Sequence, residues 1–150
     1  MSLIIGIDPD VEKNGVSIYS KTTKNLQYRS LKFFDLMEYL KSIKESVDLV
    51  KIEGGWLNKK SNFRNTKIKN VSDSISRKVG ENHATGKKIV EMCEYLQIPY
   101  RIKKPLPKRW KGKEGKITHL ELEKILQPLK IEIGSKSNQD QRDSILICLF

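Results

Sequence analysis

The chain opens on an aliphatic run, "LIIGI", that ends abruptly at Asp8 and Pro9. A short continuous apolar run bounded by turn residues predicts a strand over 2–8, buried on both faces. Asp10 to Gly15 reads as a polar turn into a second run, Val16 to Tyr19, and Asn25 to Leu31 has the pattern of a third strand. Together they predict an antiparallel meander.

Phe33, Leu36, Met37, Leu40 and Ile43 then recur at helical spacing, which predicts an amphipathic helix over 32–45. Val47 to Glu53 is the next strand, and it repeats the opening pattern by ending on a carboxylate, here before Gly54 and Gly55. Residues 56–80 are polar and basic with scattered Trp56, Phe63 and Ile68, a pattern that predicts a long mobile loop or an irregular lead-in to a helix. From about Glu81, Ile89, Met92, Cys93 and Leu96 define a helix, with His83 just before it, and Ile98 to Ile102 makes a short strand. After the basic stretch "KKPLPKRWKGKEGK" comes "THLE", a capping box with Thr118 at the N-cap and Glu121 three residues on. The closing "NQDQRDSILICLF" predicts a helix capped by Asn138, with Asp140 and Asp143 at i and i+3 on one face. No internal repeat or low-complexity segment interrupts this order. It implies an α/β domain: a mixed sheet, three antiparallel strands then parallel ones, flanked by helices.

Composition adds a partner class. At 150 residues the chain is expected to form a single domain. Its 29 Lys and Arg against 18 Asp and Glu give a formal charge of +11, spread along the sequence rather than held in one tail. Such an excess suits a polyanion such as nucleic acid, because each neutralised phosphate releases condensed counterions. The two cysteines, Cys93 and Cys148, lie in apolar segments, so neither a disulfide framework nor a Cys-based zinc site is indicated. A reducing cytosol suits them. With no leader pattern and no apolar run near membrane length, a cytoplasmic protein without a membrane partner is expected.

Against this basic background the carboxylates stand out. A carboxylate at the end of a buried strand is costly unless something pairs with it. Taken alone, Asp8 and Glu53 are also what a turn former or salt-bridge partner looks like, and acidic residues in a first helical turn favour the dipole. Taken jointly, a strand Asp, a strand Glu and a helix Asp pair are more specific, since ligands in open α/β sheets sit at strand ends. Four carboxylates packed together resist ionisation unless a cation neutralises them. Oxygen-only ligation selects Mg²⁺, with Mn²⁺ as the alternative. Two such ions activate water and stabilise the leaving oxygen of a phosphodiester.

These segments resemble the RuvC-type Holliday junction resolvases, of RNase H-like fold, particularly their divergent phage branch. "IIGIDPDVEKNGVSIY" is similar to the family's first strand with its catalytic Asp, and "VKIEGGW" to the strand carrying its catalytic Glu. "ENHATGKKIVEMCEYL" resembles the helix that follows, with Ala84 and Gly86 where close packing is expected. "PKRWKGKEGKITHLELEKIL" resembles the basic junction-binding segment, and "DQRDSILICLF" the closing helix. The basic segment carries a one-residue insertion relative to that pattern, so Lys108 matches a family lysine directly and His119 only loosely. The loop after Glu53 is longer than the family's.

The resemblance implies a homodimeric endonuclease that nicks four-way DNA junctions in pairs. Asp8, Glu53, Asp140 and Asp143 would be both catalytic residues and ligands of two Mg²⁺ or Mn²⁺ ions, with no organic cofactor. Trp56 stands where the family has an aromatic wedge at the junction centre; its other reading is packing in a local core or an interface, and Phe63 is a second candidate. Lys104, Lys108, Arg109, Lys111, Lys113 and Lys116, with Lys103 beside them, read as phosphate contacts, and Trp110 as a loop anchor or stacking platform. Lys59, Lys60, Arg64, Lys67, Lys69, Arg77 and Lys78 form a second basic set. A looser fork nuclease and a non-catalytic nucleic-acid-binding module are the rival readings. An actin-like sugar kinase, suggested by "GIDPDVEKNG", needs a second such domain and a second phosphate loop, for which the sequence has no counterpart.

Overall fold

A computed structural model describes residues 2–58 and 69–150, with the side chains of 69–72 excepted. Three strands form the meander: β1 (Leu3–Asp8), β2 (Asn14–Ser20) and β3 (Leu26–Leu31). α1 (Phe33–Ile43) leads to β4 (Val47–Glu53), and α2 (Lys69–Leu96) leads to β5 (Tyr100–Lys103). α3 (His119–Leu126) and α4 (Gln139–Leu149) complete the order. The sheet runs β3-β2-β1-β4-β5, antiparallel across β1, β2 and β3 and parallel across β1, β4 and β5. This is the expected mixed α/β sheet flanked by helices.

Side-chain alternation divides the sheet into two faces. Ile5, Ile7, Val16, Ile18, Val50 and Ile52 point to one side, where Leu36 and Leu40 of α1 and Ile89, Met92 and Cys93 of α2 close a core. The opposite face receives α4. Ser17 Oγ donates to the Ser144 carbonyl at 2.7 Å, Cys148 Sγ to the Ile4 carbonyl at 3.4 Å, and Lys51 Nζ to the Cys148 carbonyl at 3.0 Å. Beyond α4 lies a second core, built from Ile117, Leu122, Leu126, Ile131, Ile145 and Leu146. Lying between sheet and second core, α4 is buried without interruption from Asp143 to Cys148. A helix covered all round has no polar stripe to display.

The approach of α4 to the sheet depends on missing side chains. A Cβ on Gly6 would collide with the Ser144 carbonyl and lie 2.6 Å from Cys148 Cβ, and one on Gly15 would collide with the Asp140 backbone.

Three expectations are corrected here. α2 begins at Lys69 rather than near Glu81, so Arg77, Lys78 and His83 belong to the helix and not to a loop before it. The apolar signal of its first half is weak because Ile75 and Val79 line an open pocket instead of a core. Ala84 is exposed, whereas Gly86 is buried. The last parallel strand also starts later than Ile98: the chain turns at Gln97, with φ +58°, and Ile98 is drawn under the end of α2 by its N–H to the Cys93 carbonyl. Among the described residues, no helix is long and apolar enough to cross a membrane.

Gly6→Ala is expected to lower unfolding stability by about 3 kcal/mol, since the added carbon meets helix backbone that cannot swing aside. Urea titration of the metal-free protein measures the loss.

Candidate active site

Asp8 and Glu53 end adjacent parallel strands whose register pairs Ile7 with Ile52. Each sits on the α4 side by alternation. Asn138 caps α4 by accepting from Gln141 N–H at 2.8 Å, and Gln141 Oε1 accepts in return from Asn138 N–H. The capping box fixes where the helix starts, and therefore which residues of its first turn face the strand ends. Asp140 and Asp143 are those residues. All four carboxylates line one cavity of about 670 Å³.

The remaining walls come from three segments. Trp56 follows β4 in a 3-10 turn, Gly55–Leu57, and its ring lies against α2, where a Cβ on Gly86 would be 2.5 Å from it. His83 meets the same ring edge-on, with centroids 6.5 Å apart. Lys78 and Asn82 reach the cavity from α2, and Trp110, Lys108 and Lys116 from the basic loop before α3. That loop folds on itself: Trp110 N–H donates to the Gly115 carbonyl and Gly112 N–H to the Lys116 carbonyl, both at 2.9 Å. Gly115 carries φ +77°, a conformation favoured by glycine.

The structure thus brings together Asp8, Glu53, Asp140, Asp143, Trp56, Lys108 and Lys116. Lys104, Arg109, Lys111 and Lys113 are exposed on the loop and do not line the cavity, and Arg109 lies over the Trp110 ring at 5.1 Å. His119 faces away from the cavity, with Nδ1 at 2.7 Å from Ser137 Oγ and Nε2 at 2.9 Å from Glu123. Lys59, Lys60, Phe63, Arg64 and Lys67 lie outside the described residues, as does the side chain of Lys69.

Three features escaped the sequence reading. Asp10 joins the cavity wall two residues after Asp8, a placement that "DPD" hints at. Lys116 turns inward, its Nζ 3.7 Å from Asp143 Oδ2. Gln139 and Arg142 brace the site: Gln139 Nε2 donates to Asp143 Oδ1 at 2.8 Å, and Arg142 donates to Ser137 and to the Ile117 carbonyl. Nothing in residue type or spacing signals such a brace.

No protein-family model matches the chain, and no curated protein matches it by sequence. Solved structures do. T. thermophilus RuvC in complex with Holliday junction substrate superposes with a TM-score of 0.59 over 99% of this chain and 91% of that one, at 13% identity. The fold is therefore the RNase H-like one of RuvC. YeaZ from Pseudomonas aeruginosa overlaps with a TM-score of 0.36 at 13% identity, covering 71% of this chain and 45% of its own. A propionate kinase from Francisella tularensis subsp. tularensis SCHU S4 overlaps with 0.42 at 12% identity, covering 88% and 50%.

Burial dominates the electrostatics, and like charge adds to it at three of the four carboxyls. Removal from water, then the charges of Glu53, Asp143 and Asp140, push the Asp8 carboxyl well above its usual range. Burial, then Asp143, pushes Glu53 up to about 7. Burial raises Asp140 too, with Asp10 adding to it, and Asp140 accepts a hydrogen bond from the Asp8 side chain. Asp143 is raised by burial against the opposing pull of Gln139 and Lys116.

Among the described residues, no three His, Cys, Asp or Glu side chains form a ready-made metal-holding group. The donor chemistry nevertheless fits a hard divalent cation. All four donors are carboxylate oxygens in one cavity, where burial disfavours their charged forms and a cation would favour them.

Because these carboxyls hold protons more tightly when folded than when unfolded, stability is greatest at low pH within this range and falls as pH rises. For Glu53 the window runs from its ordinary 4.5 to about 7. In EDTA, Tm should fall across that window. Asp8→Asn should flatten the fall and raise Tm at pH 7.5; thermal scans at stepped pH check both.

Proposed function

We propose that this protein is a metal-dependent, structure-selective endonuclease that resolves four-way DNA junctions by paired symmetric nicks. One observation carries the reading: Asp8 and Glu53 on adjacent strand ends face Asp140 and Asp143 across a single cavity, within the RuvC fold. Asp8, Glu53, Asp140 and Asp143 would hold Mg²⁺ or Mn²⁺. The bound ions would supply Lewis-acid activation of water and charge neutralisation at the scissile phosphate.

The chain's own residues supply the rest. Gln139 keeps one oxygen of Asp143 fixed, so that its other oxygen stays turned to the cavity. Lys108 lies at the rim, and Arg109, Lys111 and Lys113 extend the positive surface along the loop to engage flanking phosphates. Trp56 offers a π face beside the carboxylates, on which an unpaired base at a branch point can stack. Hydrolysis leaves a 5′-phosphate and a 3′-hydroxyl, ends suited to ligation. A homodimer would set two such cavities about the two-fold axis of a junction.

The test uses a labelled four-way junction, a Y-fork and a linear duplex, each with Mg²⁺ or EDTA. Paired symmetric nicks in the junction are expected, dependent on Mg²⁺. Asp8→Asn should reduce nicking by more than the roughly 100-fold that loss of an outer-sphere partner costs, while still binding the junction. Binding without cutting under any divalent ion would overturn the enzyme reading, and equal cutting of fork and junction would replace the resolvase with a looser nuclease.

A further inference from the structure

Lys116 is half-buried, reaches into the carboxylate cavity and forms an ion pair with Asp143 at 3.7 Å. The neighbouring lysines of the same loop stay in solvent. Its inward course is built into the backbone. Ile117 is fully buried in the second core, Gly112 N–H and the Lys116 carbonyl are bonded, and a Cβ on Gly115 would lie 2.7 Å from the Lys108 carbonyl. Gln139 and Arg142 both donate to the Ile117 carbonyl, so the residue after Lys116 is tied to the turn of α4 that carries Asp140 and Asp143.

We propose that Lys116 is a resident counter-ion: its ammonium holds the carboxylate cavity together without metal and is displaced from Asp143 when a divalent cation enters. The inference rests on the proposed metal site and adds a competitor to it. Positive charge from Lys116 is felt at all four carboxyls, lowering each against the effect of burial. The same charge opposes an incoming cation, which must overcome it at short range where salt screens little. Asp143 need not move during the exchange, because Gln139 fixes its other oxygen at 2.8 Å. The displaced ammonium is left beside the cavity, where an anion can pair with it in place of Asp143. A substrate phosphate has that chemistry, so metal and DNA should favour each other's binding.

Titration of DNA-free protein with Mn²⁺ by calorimetry tests the exchange. Lys116→Met should bind the ion about tenfold or more tightly than wild type. Lys116→Arg should stay near wild type, and Lys111→Met, which removes the same charge from an exposed position, should change affinity less than about twofold. In EDTA, Lys116→Met should melt lower than wild type, and saturating Mn²⁺ should raise its Tm more. Unchanged or weaker Mn²⁺ binding by Lys116→Met, an equal gain in Lys111→Met, or a wild type that binds no Mn²⁺ would overturn the proposal. Tighter binding without junction cutting would uphold it while removing the nuclease reading.

Discussion

Close contact between α4 and the sheet is the constraint on which the rest of the molecule depends. Helix backbone reaches strand backbone over Gly6 and Gly15, a distance that any side chain at either position would forbid. The contact carries the first turn of α4 to the ends of β1 and β4, where four carboxylates then share one cavity. A packing feature thus sets an electrostatic one.

The carboxylates are unfavourable company for one another. Burial raises all four, repulsion adds to it at Asp8, Glu53 and Asp140, and Glu53 reaches about 7. The fold offsets this in ways visible in the side chains: an amide from Gln139 and an ammonium from Lys116, both on Asp143. Two cores on opposite sides make such a site tolerable, because α4 is gripped between the sheet and the Leu122, Leu126 and Ile131 cluster. The electrostatic cost at the strand ends is offset by apolar burial elsewhere.

The basic loop and α2 divide the remaining work. α2 begins early enough to bring Lys78, Asn82 and His83 to the cavity, and Gly86 lets the Trp56 ring approach the helix closely. The loop before α3 sends Lys108 to the rim and Lys116 inside, while Lys104, Arg109, Lys111 and Lys113 remain in solvent. Residues of one chemical type therefore take three different positions within a single loop.

Strand order in the meander, the Thr118 capping box, the Asn138 cap and the four carboxylates were legible in the amino-acid sequence. Each rests on local rules: apolar runs bounded by turns, reciprocal Thr118 and Glu121 hydrogen bonds, and charges placed where burial would penalise them. Three things were not legible. The start of α2 escaped because its pocket-facing half buries little apolar surface and so leaves no stripe. The inward turn of Lys116 and the Gln139 and Arg142 brace escaped because they join residues through the tertiary placement of α4 against the basic loop. Periodicity records which face of an element is buried; which polar groups meet across two elements is decided only when those elements pack.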